Sequence, residues 1–414
     1  RKIKQFPNDF NYNNYIKDIL YTFAPLNSIL KIFCLNCQVQ KYKRPHCEIL
    51  KRATPALIIG SVNLFTLYYK LKYVYNIVFI SVRYTDMVQI IYDVFQYIAD
   101  LVFVHKYGAE ICHEYIKQYA CIDRFIGTDF YVKIRRSLIK TMMILIIMWI
   151  LSSLFDYLMW LKGFGFIQTS VYSIAYVYMF IKILTNLDLT ANVIHVESRL
   201  SVLGDIIQDY CNTIENSSEI IEDFVAKKDW LYYNESKSVK LHSIKVNSGI
   251  NKNYVKTLSQ CYFLLLEQVR FINKMFGMRM LLNSLSLLID VIRFTNLAVL
   301  ILIGSQGTGY ANEYYTVIAT LGRSLTCIIV LLSIVNHCER AYRQRERIIR
   351  LLDNLIINKN LDETLSTAFN DFRSLVQSRS INFHMANYIR IEYPLLVSIT
   401  SAVVTYTIIL LQSA

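Results

Sequence analysis

Residues 382–414 read NFHMANYIRIEYPLLVSITSAVVTYTIILLQSA, and from Pro394 to Leu411 none of them is charged. At ~1.5 Å of rise per residue, a helix over that run almost crosses a ~30 Å hydrocarbon core. The run is not uniformly apolar. Ser398, Ser401, Thr405 and Gln412 recur at helical spacing, and Ile408 and Ile409 interrupt the polar line one turn before Gln412. Lipid offers such a stripe no hydrogen-bond partners. It therefore reads either as small polar residues joining one helix to another, or as the wall of a pore. In the second case its apolar constriction would lie near the outer mouth and could close by dewetting.

The rest of the chain agrees with a membrane setting. Of 414 residues, 54% are apolar and only 18% charged, too greasy for a soluble domain of this length. Twelve glycines and five prolines suit long helices better than sheets, so the expected class is all-α. The net charge of +13 sits in basic segments beside apolar ones, which argues for membrane topology and against nucleic acid. Apolar periodicity predicts seven transmembrane helices, near 53–75, 85–104, 138–161, 169–189, 281–303, 315–335 and 394–411.

Lys106, Lys117, Arg124, Lys133, Arg135 and Arg136 follow the second span, and five arginines from Arg340 to Arg350 follow the sixth. The stretches after the third and fifth spans, GFGFIQ and GSQGTGYANEY, carry no Lys or Arg. Basic loops stay inside, so the N-terminus is expected in the cytoplasm and the C-terminus outside. This divides the chain into a cytoplasmic segment (1–52), spans one to four (53–190) and a cytoplasmic helical connection with a mobile loop from about Ser217 to Asn253 (191–278). Spans five and six (279–336), cytoplasmic anchor helices (337–393, including helices around Arg340–Asp353 and Ile381–Glu392) and the last span (394–414) follow. The nine cysteines avoid the outer loops, and Cys34, Cys37, His46 and Cys47 lack the spacing of a zinc module, so neither a structural disulfide nor a metal is expected.

The second span is the richest in chemistry. Asp86, Gln89, Asp93, Gln96 and Asp100 alternate at spacings of three and four and share one helix face. Acids at bilayer depth need partners, water or a ligand. One reading pairs them with basic side chains of neighbouring helices, Arg293 and Arg323 among them. The other opens a water-filled pocket to the outside, with Asp86, Gln89 and Asp93 touching ligand. Trp149, Asp156 and Trp160 in the third span and Tyr172 and Tyr176 in the fourth would complete that pocket. Rings beside carboxylates suit a polyhydroxylated ligand, which favours a sugar.

Thr405-Tyr406, five further residues and then Gln412 resemble the terminal TYhhhhhQF signature of insect gustatory receptors. Here Thr407 takes the first of the five apolar places and Ser413 replaces the final Phe. Ala386-Asn387-Tyr388 with Ile391-Glu392 is similar to that family's approach to its last span, and Ala24-Pro25-Leu26-Asn27 to its N-terminal element. The resemblance implies a ligand-gated cation channel of four subunits, each giving its last helix to a central pore. It would be opened by a small-molecule tastant in the plasma membrane of sensory neurons, surrounded by lipid, as a homotetramer or with co-receptors. Ser398, Ser401, Thr405, Ile408, Ile409 and Gln412 are then pore or gate residues. No cofactor and no enzymatic motif is expected. A G-protein-coupled chemoreceptor and a secondary transporter are the competing classes; the loop charges oppose the first, and the odd span number with no internal repeat opposes the second.

Overall fold

The computed structural model describes residues 12–36, 45–76, 80–228, 252–303, 313–358 and 362–412. Lys41, Lys43, Arg44, Cys37, the connection at 304–312 and the centre of the long connection, 229–251, lie outside the described residues.

The chain order is α1 (Tyr12–Ile32), α2 (Pro45–Tyr73), α3 (Ile80–Ile126), α4 (Tyr131–Tyr172), α5 (Ile174–Lys228), α6 (Lys252–Leu302), α7 (Glu313–Asn358) and α8 (Glu363–Ser378). A two-stranded antiparallel hairpin, β1 (His384–Met385) and β2 (Ile389–Arg390), leads into α9 (Tyr393–Gln412). With few helix breakers, the helices run far past the apolar segments: α3, α5, α6 and α7 have 47, 55, 51 and 46 residues. Helix α5 carries the expected fourth span on to Lys228, beyond Ser217, where a loop was expected to begin. Nothing in that polar stretch stops a helix, and polarity alone does not unwind one.

Among the described residues, five helices are long and apolar enough to cross a membrane, within α3, α4, α5, α6 and α7. The chain is built as a multi-pass membrane protein. Helix α9, with 20 residues, carries no charge and is about 30 Å long. Helix α2 turns Leu57, Ile58, Leu64 and Phe65 outward. Helix α5 is the axis of the bundle and is buried nearly throughout its apolar length, whereas little of the apolar length of α4 is fully buried.

Two clusters make most of the core. One, centred on Leu184, Leu187, Leu287 and Leu331, joins α5, α6 and α7 beside α3 and α4. The other gathers α1, α3, α5, α6, α7, α8 and the hairpin around Leu200, Tyr262, Leu352, Phe372 and Phe383.

A buried polar knot fastens α1 to this frame. Arg199 grips both oxygens of Asp123, at 2.8 and 2.7 Å, and Phe23 stacks on His195 at 4.3 Å. The Thr22 hydroxyl donates to the Ile19 carbonyl at 2.7 Å and lies 2.9 Å from His195 Nε2. Its single proton is spent, so Nε2–H is the donor and Nδ1 faces Arg199 as acceptor, 3.1 Å away. The ring is thereby fixed in one neutral tautomer.

The segment Ile381–Glu392, expected as an anchor helix, is the hairpin instead. Ala386 and Asn387 take left-handed φ of 49° and 64°, which turns the chain, and Tyr388 N–H closes the turn on the Met385 carbonyl at 3.0 Å. Helices α6 and α7 hold this hairpin together. Asn273 donates to the Asn382 carbonyl at 2.9 Å and accepts from His384 N–H at 3.0 Å. The Tyr342 hydroxyl accepts from Phe383 N–H at 3.0 Å and donates to the Ile391 carbonyl at 3.2 Å.

Gly277 is where the hairpin comes closest to α6. A Cβ there would stand 3.0 Å from the His384 carbonyl oxygen and 3.1 Å from Ala386 N. Gly277→Ala is expected to push the hairpin off α6 and to cost about 1–3 kcal/mol. The check is the heat-denaturation midpoint of the purified protein, which should fall; an unmoved midpoint means that the hairpin yields without resistance.

Candidate functional site

The acids of α3 meet basic partners from other helices, one tier after another. Asp86 receives the Lys70 ammonium of α2 at 2.9 Å, the Tyr75 hydroxyl at 2.7 Å and Arg293 of α6 at 2.8 Å. One register deeper, Lys182 of α5 bridges Asp93 at 2.7 Å and Asp290 at 2.5 Å, and Gln89 donates to the same Asp93 oxygen at 2.6 Å. Deeper again, Asp100 accepts from Arg279 at 3.1 Å and from Thr185 at 3.0 Å. The three- and four-residue spacing thus presents each acid to the bundle interior, where α2, α5 and α6 deliver two cations to the Asp86 tier, Lys70 and Arg293, and one to each of the others. Desolvating these charges is costly, and the close pairing offsets that cost.

Above the top tier lies a largely enclosed cavity of about 50 Å³. Asp86, Asp156, Trp160, Tyr172 and Tyr176 all border it, five of the eight residues that the sequence singles out for ligand. Gln89 and Asp93 do not; they belong to the Lys182 tier. Trp149 does not either: its indole donates to the Tyr176 carbonyl at 3.0 Å and its ring packs on Phe180. The sequence reading missed Tyr75, Phe164, Phe294 and Thr320, which also line the cavity, and named Arg293 and Arg323 only as ion-pair partners.

The roof comes from a reversal of the chain. Gly165 has φ 76° and ψ 174°, outside any helix, so the segment after it folds back. Trp160 and Tyr172 are twelve positions apart and would be roughly 18 Å apart along a straight helix, yet their rings stack at 4.9 Å. The Lys70 ammonium caps Tyr172 from outside, 3.8 Å from the ring centre. On the opposite wall Arg323 of α7 donates to Asp156 at 3.1 Å and lies over Phe294 and Tyr176, at 4.4 and 4.7 Å. The Tyr176 hydroxyl donates to the same Asp156 oxygen at 2.8 Å. Polar atoms are thus held at the corners while rings form the faces.

The polar stripe of α9 stands apart from this site. Leu395, Leu396, Ile399, Val403 and Thr407 turn toward α6 and α7, and Thr407 is buried. Ser398, Ser401, Thr405, Ile408, Ile409 and Gln412 are all exposed. Ser398, Ser401, Thr405 and Ile409 share one open groove along the helix. The hydroxyls of Ser398 and Thr405 donate back to carbonyls four residues earlier, at 3.2 and 2.9 Å, so the chain itself supplies them no interhelical partner among the described residues.

No protein-family model and no curated protein matches this sequence. Solved structures do match. The chain is similar to the insect olfactory receptor OR5 from Machilis hrabei, with TM-score 0.61 and 10% identity over 97% of this chain and all of that one. In its complex with eugenol the same receptor matches with TM-score 0.58 and 11% identity over 98% of this chain and, again, all of that one. The chain therefore has the fold of that insect olfactory receptor along its whole length.

Proposed function

We propose that this chain is a member of the insect chemosensory receptor family and works as a ligand-gated cation channel. In this reading it is a gustatory receptor of sensory neurons, a homotetramer in the plasma membrane, with seven spans, the N-terminus inside and the C-terminus outside. Helices α2 and α9 are the first and last of those spans. The ending Thr405-Tyr406 to Gln412 favours the gustatory branch. The observation that carries the reading is the α9 stripe. A row of hydroxyls at membrane depth, turned away from the chain's own core, has a physical reason only where it faces water or identical helices. One chain supplies one such helix, so a pore needs a ring of copies.

Helices α6 and α7 connect the two sites. Each lines the cavity, through Arg293 and Phe294 or Thr320 and Arg323. Each also grips the approach to α9, through Asn273 or Tyr342. The lever between the two ends is roughly 30 Å long in each helix. A ligand that widens the small cavity shifts α6 against α7 and so turns the base of α9. Its leverage is limited to its preference for the open form over the closed one.

An epitope tag after Ala414, stained on unpermeabilised cells, tests the orientation; an inner C-terminus would return the chain to the G-protein-coupled class. Trp160→Ala tests the cavity. With a panel of sucrose, glucose, quinine and acetophenone as probes, the concentration for half-maximal whole-cell current should rise about tenfold or more for whichever probe is active. Surface expression should hold. An unchanged dose dependence would move the ligand site elsewhere.

A further inference from the structure

Two lysines on the outer surface of the bundle share one ring and have no acid beside them. Lys106 of α3 and Lys274 of α6 are both exposed, and their ammonium groups stand 5.2 and 5.7 Å from the centre of the Tyr107 ring. Among the described residues, neither ammonium has a carboxylate within ion-pair reach. The buried cations of the bundle, Lys70, Lys182 and Arg279 among them, are paired. This corner instead gathers two positive charges on one surface. The top tier fixes its depth. Asp86 and Arg293 pair beside the cavity, twenty and nineteen positions along the chain from Lys106 and Lys274. Both lysines therefore lie about 30 Å from that pair along their helices, one hydrocarbon thickness. That is the level of the opposite headgroups, which are cytoplasmic in the orientation proposed above.

An apolar track leads from the corner back into the bilayer. Ile91, Phe95, Ile98 and Val102 recur at spacings of three and four along α3 and are all exposed, as are Met278 and Leu285 on α6. Lys106 and Lys274 continue these two stripes, each four positions beyond the last apolar member. The helices pack side by side over this length, and the Tyr92 hydroxyl donates across to the Leu282 carbonyl at 3.2 Å. We propose that the corner binds the headgroup of one anionic phospholipid per subunit, with an acyl chain lying along the track. The two ammonium groups hold the phosphate between them, and the cytoplasmic leaflet is where anionic lipids are concentrated. The headgroup then sits on the turn of α6 that grips the hairpin. Asn273, which bonds Asn382 and His384, is next in sequence to Lys274, and Gly277 follows within a turn. The lipid thus braces the inner end of the α3–α6 pair beside the approach to α9.

Three probes test this on the purified full chain in an uncharged detergent: dioctanoyl phosphatidylserine, dioctanoyl phosphatidylcholine and glycerophosphoserine, a headgroup with no tails. The heat-denaturation midpoint and the lipid retained in native mass spectrometry are read for each. Dioctanoyl phosphatidylserine should raise the midpoint and remain as one adduct per subunit, and the other two should do neither. Lys106→Gln and Lys274→Gln should each weaken its binding about fivefold, and the double variant about 25-fold. Lys117→Gln removes the same charge from the same helix about 16 Å farther along. That is beyond the screening length at physiological salt, so binding should not change. All of these side chains are exposed, so without lipid the variants should melt with the wild type.

No shift with dioctanoyl phosphatidylserine, or an equal shift with dioctanoyl phosphatidylcholine, overturns the anionic site. Glycerophosphoserine acting as well as the lipid overturns the apolar track. Two adducts per subunit, one lost with each lysine, make the lysines separate sites and overturn the shared headgroup. If Lys117→Gln weakens binding as much as Lys106→Gln, the attraction belongs to the whole basic surface and the corner is no site. These readouts need neither a ligand for the cavity nor current. A silent Ile409→Ser therefore fails the channel reading and leaves the corner standing, and an inner C-terminus moves the corner to the other leaflet without changing what it binds.

Discussion

Ile409→Ser is expected to pass current with no ligand present. Ile409 and Gln412 are three positions apart on the exposed side of α9, with Ile408 at the edge of the same stripe. Their rings in a four-fold assembly would stack within about 5 Å along the axis. A narrow apolar ring excludes water without touching an ion, and one hydroxyl per subunit suffices to let water back. The amide ring above it would offer oxygens to a passing cation. A channel closed 99:1 needs a bias of several kcal/mol to open fully, and wetting the constriction removes the barrier without any such bias. Basal current should rise from about a hundredth of the maximum to a large fraction of it. Gln412 substitutions should instead change relative cation permeability. A silent baseline in an Ile409→Ser channel that still opens to ligand would place the gate on another turn.

The α3 stripe was legible because its period is local: Asp86, Asp93 and Asp100 declare a single face in the sequence itself. What that face meets was legible only in part. Pairing with basic side chains of neighbouring helices was one of the two readings, and Arg293, named there, does pair with Asp86, but the other cations were not identified. Lys70, Lys182 and Arg279 each come from a different helix, and pairing across helices leaves no trace in spacing. Even so, Lys182 and Arg279 stand alone in apolar runs, and a charge at bilayer depth signals a buried partner wherever it occurs. Trp149 and Trp160 lie on one side of α4 and so looked alike; depth separates them, since only Trp160 reaches the roof. The roof depends on Gly165, whose positive φ reverses the chain. In the sequence it reads as one more loop glycine. The hairpin was misread for a related reason: two left-handed residues, Ala386 and Asn387, decide it, and neither type demands that conformation.

Lys182 should prove the most stability-sensitive charge in the bundle. Its ammonium stands between two carboxylates, 2.7 Å from Asp93 and 2.5 Å from Asp290, and all three side chains are almost wholly buried. Removing it leaves two like charges facing each other with Arg293 as the remaining cation, which reaches Asp290 at 3.5 Å. Breaking a buried pair in this way costs about 3–5 kcal/mol, much of it the isolated charge and little of it the lost contact. Lys182→Met keeps the length and apolar volume of the stem, so packing is preserved and the charge is what changes. Surface expression and the heat-denaturation midpoint should both drop steeply. Adding Asp93→Asn to that variant restores neutrality, since Arg293 still balances Asp290 against Asp86 and Lys70, and Gln89 and Ser286 still have an oxygen to bond. The double variant should therefore regain most of the lost midpoint, although it carries one more substitution. If the two variants are equally unstable, the tier is held by packing and hydrogen bonds, and the balance of charge there is incidental.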